Sequence, residues 1–172
     1  MICLETGLPR ASILWDELSR SDYADGFRIE MDRELTLDEA VNVFCGPLPR
    51  PIAFLMRMRD GLVGRLGLKV ARRYVAGTPE HPIVCQPGEE MGMFRVFERR
   101  DRELVLGEDD VHLDFRVSVL VEGRFVTVST LVFYRNWMGR LYFAFVRPVH
   151  RRIVPAGLAK DFGRFQARGG AA

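Results

Sequence analysis

The chain has 172 residues, 48% of them hydrophobic and 28% charged, with a formal net charge of +2. That length suits one domain with a single core, and the composition excludes a disordered or fibrous chain. A charge so close to balance lacks the basic stripe that neutralises phosphates, so nucleic acid is not an expected partner.

Lysine occurs only at Lys69 and Lys160 beside many arginines, a bias that fits GC-rich codon usage and a bacterial source. Cys3, Cys45 and Cys85 are odd in number, far apart and without a C-x-x-C pair. They therefore read as idle thiols of a reducing compartment, not as a disulfide framework or zinc ribbon. The N-terminus lacks the basic-then-apolar pattern of a signal peptide. No apolar run approaches the roughly 20 residues that span a bilayer. A cytoplasmic protein without stable membrane insertion is expected.

In chain order, residues 1–22 read as a less ordered lead-in with one turn around Trp15 and Leu18. Alternation of Phe27, Ile29 and Met31 with Arg28, Glu30 and Asp32 predicts a half-buried strand. Thr36 and Glu39 form a capping box, in which the hydroxyl accepts from the N3 amide while the glutamate reaches back. A helix should begin there and stop at Gly46-Pro47. A second is expected from Pro51 to Gly67. The prolines and glycines of residues 71–92 predict a loop with a short edge strand at Ile83 and Val84.

Beyond Gly92 the pattern is a meander, with strands expected at Met93 to Arg99, Glu103 to Leu106, Val111 to Val121, Phe125 to Tyr134 and Arg140 to Val146. In the third, Val111, Leu113, Phe115, Val117, Val119 and Val121 take one face and His112, Asp114, Arg116 and Ser118 the other. A three-residue turn with Gly123 in the left-handed region is expected next, and Asn136 with Gly139 should form the last turn. The strand from Phe125 carries apolar residues on both faces and should be covered on both. A final helix is expected from Pro148, kinked or restarted at Pro155, before a frayed tail at 167–172. The whole is an α+β chain with a curved antiparallel sheet and a long C-terminal helix packed on it.

Three stretches carry a family resemblance. They are Phe54 to Lys69 (FLMRMRDGLVGRLGLK), His112 to Ser118 (HLDFRVS), and the run from Thr127-Val-Ser-Thr through Asn136 and Gly139-Arg-Leu-Tyr142 to Pro148-Val-His150. They resemble the bacterial family catalogued as domain of unknown function 2867, grouped with the helix-grip, START-like (SRPBCC) proteins. Val149 departs from the pattern, where an aromatic residue is expected before the histidine. The resemblance implies the fold, including two short helices after the first strand, and a pocket between sheet and last helix. It brings no catalytic residues. Some relatives are attached to a dinucleotide-binding oxidoreductase domain, but no G-x-G-x-x-G unit occurs here.

The candidate chemistry is thin. His112, Asp114 and Arg116 alternate along one strand, about 7 Å apart, so water or a polar ligand could bridge them. Arg116 could hold an anion while His112 moves a proton oriented by Asp114; the same row also suits a solvated, ion-paired sheet face. His150 stands beside Arg147, Arg151 and Arg152 and is either a base at a pocket mouth or a helix-start residue. Arg59 and Asp60 could line an entrance or form a surface pair. The arginines of Phe54 to Lys69 could meet an anionic membrane, though an ordinary packed helix looks the same. Phe115, Trp137, Tyr142 and other aromatic residues could line a cavity or fill a core. His81, His112 and His150 lack metal-ligand spacing, and no cofactor is indicated.

Three functions follow as expectations. One is a protein binding a small apolar or amphipathic molecule between sheet and last helix, with Arg116 or Arg140 on its polar end and Phe115, Tyr142 and Trp137 around it. Another is a cyclase- or dehydratase-type enzyme with His112 or His150 as acid/base and Asp114 or Tyr142 orienting it. The third is an accessory partner of a separate oxidoreductase. A homodimer is left open.

Overall fold

The computed structural model describes residues 1–46, 84–91 and 94–169. The helix expected from Pro51 to Gly67, with Arg59 and Asp60, and also His81 and Ile83, lie outside them. Among the described residues seven strands form one antiparallel sheet: β1 (Cys3–Glu5), β2 (Tyr23–Glu30), β3 (Glu90–Met91), β4 (Phe94–Arg100), β5 (Glu103–Asp109), β6 (Leu113–Glu122) and β7 (Phe125–Tyr134). Their order is β1-β2-β7-β6-β5-β4-β3, so the last strand of the meander returns beside the first long strand and the sheet stays open. A 3-10 helix (Ile13–Arg20) precedes β2, α1 (Leu37–Phe44) follows it, and α2 (Trp137–Gly169) closes the chain.

The period-two pattern decides the layers. Phe27, Ile29, Val117, Val119, Val121, Val126 and Val128 share one buried cluster with Leu37, Ala40 and Val41 of α1 and Leu158 and Phe162 of α2. The opposite face is also covered: Leu131 of β7 and Val105 of β5 bury Leu14 of the 3-10 helix. β7 is thus packed on both sides, as its apolar residues on both faces imply. The capping box forms, with Thr36 Oγ1 accepting from the Glu39 amide and Glu39 Oε2 from the Thr36 amide.

Several expectations are corrected. The segment Arg140 to Val146 is helix, not strand, and the last helix begins at Trp137 instead of Pro148. Asn136 is no hairpin turn residue; its Oδ1 accepts from the Gly139 amide and its own carbonyl from Arg140, which is how a cap starts a helix. Gly139 lets that first turn lie on β6, since a Cβ there would overlap the His112 carbonyl. Pro148 and Pro155 neither start nor restart α2; each leaves one helical carbonyl, of Ala144 and Arg151, without its usual donor, and both those residues are exposed to water. The β6–β7 connection has two residues, since Glu122 pairs with Phe125. Of its two residues only Gly123 has positive φ, 59°, as a type II′ turn requires at its first central position. Finally, β2 begins at Tyr23, four residues before the predicted strand, and Val84 is exposed outside any strand.

Candidate functional site

Starting β2 at Tyr23 puts Tyr23 and Asp25 in line with Phe27 and Ile29 on the face that α2 covers. The Tyr23 hydroxyl donates to Asp25 Oδ2 at 2.6 Å. His150, brought over the sheet by α2, places Nε2 3.1 Å from the same oxygen, within ion-pair range but out of line for a hydrogen bond. The Asp25 side chain is 2% exposed and that of His150 20%. Asp25 Oδ1 is buried with no donor among the described residues. A buried carboxyl in this state is costly, so the position is unlike an ordinary sheet residue.

The surroundings of this trio are aromatic and cationic. The Phe143 ring lies 4.9 Å from that of Tyr23, and the Arg147 guanidinium 5.3 Å from it. Burial, then the hydrogen bond to Asp25 and its charge, push the Tyr23 hydroxyl pKa well up, while Arg151 and Arg147 pull the other way. A phenol, a carboxyl and an imidazole sharing one oxygen form a set that can hold and relay a proton, with His150 as the member nearest solvent.

A second feature lies between the sheet edge and the far half of α2. It is a groove of about 630 Å³ lined by Met1, Ile2 and Leu4, Arg28 and Glu30, Phe125, and Gly163, Gln166 and Ala167. Most of its wall is apolar. Gln166 Oε1 is buried without a partner among the described residues. Arg28 is fixed beside it, donating from Nε to Thr127 Oγ1 and from Nη2 to Glu122 Oε2, both at 3.1 Å. A recess of about 410 Å³ at the start of α1 is walled by charged groups that largely pair with one another, among them Arg99 with Asp38 and Arg33 with Glu39.

Of the residues singled out from sequence, only His150 joins the trio. Asp114 accepts twice from Arg135 Nε, at 2.7 and 2.8 Å, and Arg116 donates to Asp109 at 2.7 Å while lying 3.6 Å from the Phe97 ring centroid. Both stand on the face away from α2, and His112 precedes β6, with Nδ1 3.1 Å from the Asn136 amide. Phe115 faces the main core beside Phe94, and Tyr142 packs at its half-buried position near Tyr23 and Phe143. Arg140 stacks over Tyr134 at 5.8 Å, and Trp137 is 72% exposed. Sequence reasoning missed Tyr23, Asp25, Arg28 and Gln166. Extending the period-two pattern back from Phe27 would have found the first two. Among the described residues no three His, Cys, Asp or Glu groups gather as metal ligands, and no helix is long and apolar enough to cross a membrane.

A family model described as Protein of unknown function (DUF2867) matches residues 18–157. No curated protein and no solved structure matches the chain.

Proposed function

Since the chain belongs to the DUF2867 family, whose description names no activity, its function has to be argued from its own surfaces, and we propose that it binds a small apolar molecule with a polar end. In this reading the open sheet and long C-terminal helix act as in helix-grip proteins, and the ligand lies in the groove between β1, β2 and the far half of α2. The observation that carries it is the groove's volume, about 630 Å³, within the range of small-molecule sites, combined with a mostly apolar wall and one buried, unpartnered acceptor, Gln166 Oε1. Met1, Ile2, Leu4 and Phe125 would cover the apolar body, at roughly 25 cal/mol per Å² buried. Gln166 would take a hydroxyl or protonated carboxyl, with Arg28 beside it.

Gly163→Leu tests this cleanly, because a Cβ at 163 meets only Met1 Cβ at 3.7 Å and the added side chain would fill the groove, not the core. Native mass spectrometry of the wild type should show a co-purified mass, or bind a long-chain fatty acid as probe. The variant should lose either by at least about tenfold with unchanged melting. Equal binding by both proteins rules the groove out.

The Tyr23–Asp25–His150 trio favours a second reading, a cyclase- or dehydratase-type enzyme in which His150 is the acid/base and Asp25, not Asp114, orients it. If so, His150→Gln lowers kcat by roughly 10²-fold or more on any substrate found, while His112→Gln does not. Equal kcat values in wild type and His150→Gln exclude it.

A further inference from the structure

The outward side of α2's first half combines exposed aromatic groups with a single sign of charge. Trp137, Leu141 and Phe145 recur every four residues and are 72%, 52% and 73% exposed. At 100° per residue they fall within one quadrant of the helix, with Pro148 between them and Ala144 beside them, while Phe143 and His150 point the other way, to the sheet. Arg140, Arg147, Arg151 and Arg152 flank that stripe on the exposed side. From Trp137 to Lys160 the sequence contains no Asp or Glu. Isolated exposed apolar residues need no explanation, but a contiguous aromatic stripe beside four arginines, of which Arg151 alone meets an acid among the described residues, does.

We propose that this face docks on the surface of an anionic lipid bilayer, with α2 lying in the interface plane. Trp and Phe favour the headgroup boundary, and each arginine near an anionic leaflet adds attraction. The other occupants fit the charge less well. A second copy joined across a two-fold axis would set arginines against arginines. Residues 47–83 of this chain carry seven Lys and Arg against two acidic residues, and so are the same sign as the face they would have to cover. Of the acids around the β5–β6 turn, Asp109 pairs with Arg116 and Asp114 with Arg135, while Asp110 accepts from the Val111 amide. Arg151 is paired with Glu5, and Arg152 has no partner among the described residues.

Flotation of the full chain with vesicles tests this. Vesicles of phosphatidylcholine with about 30 mol% phosphatidylserine should bind it at least about tenfold more tightly than phosphatidylcholine alone, and about 0.5 M salt should remove the difference. Trp137→Ser with Phe145→Ser should weaken binding about tenfold or more, and Arg140→Gln with Arg152→Gln should erase the preference for anionic lipid. All four side chains point outward, so circular dichroism and melting should match the wild type and exclude misfolding. Equal binding to both vesicle types, no binding, or variants that float like the wild type overturn the proposal. So does a dimer in sedimentation velocity that Phe145→Ser dissolves, which would assign the stripe to a second copy.

Discussion

Tyr23 is the residue on which the interior site turns. Its hydroxyl is, among the described residues, one of two side-chain groups beside Asp25 Oδ2, and its raised pKa says that the folded protein keeps the phenol protonated where the unfolded chain would not. Below the unfolded value near 10, both states hold the proton and the hydrogen bond contributes in full. As pH rises above that value the unfolded chain ionises first, the unfolded state binds fewer protons, and stability falls. Tyr23→Phe removes this slope and leaves a buried carboxyl short of a donor, at a cost of about 1–3 kcal/mol at neutral pH. Urea denaturation of both proteins at neutral and alkaline pH should show the gap narrowing above pH 10. A gap that stays constant into strong alkali would mean that the folded phenol ionises as freely as the unfolded one.

At the scale of elements, what could be read in the sequence was what neighbours in sequence decide. The alternation of β6 and β7, the capping box of α1 and the glycine of the β6–β7 turn all depend on residues within four of each other. The start of α2 does not. Arg140 to Val146 is aromatic and apolar enough to suit a strand, and what makes it helix is the Asn136 cap together with the close approach of Gly139 to His112, just before β6 and 27 residues earlier. Asp25 was passed over for a related reason, although the alternation carried back from Phe27 reaches it. An acidic residue followed by glycine looks like a turn, and only pairing with Thr130, over a hundred residues away, keeps it in β2. Asp25 and His150 lie 125 residues apart, so nothing local could have joined them. Prolines 148 and 155 misled because propensity treats a helix as isolated, whereas Phe143, Leu158 and Phe162 anchor both halves of α2 to the sheet.

Across the whole molecule the two faces of the sheet are held in different ways. The helix face relies mainly on apolar burial, with Asp25 buried at one end beside Tyr23 and His150. The other face rests on a small apolar cluster and one buried acid: Glu103, 3% exposed, accepts from Ser12 Oγ and the Ile13 amide at 2.5 and 2.8 Å and from Ser118 Oγ of β6. One side chain therefore caps the 3-10 helix and fastens it to the sheet. Glu103→Leu keeps volume and burial but leaves these donors unmatched, so it should cost at least about 2 kcal/mol. The loss should fall first on the 3-10 segment, because β5, β6 and β7 keep their ladders and the cluster beneath α1 and α2. Hydrogen exchange should then quicken selectively over residues 13–20 while the amides of β6 and β7 stay protected. Uniform loosening of all seven strands would show instead that the two faces share one cooperative unit, and that Glu103 stabilises the sheet as a whole.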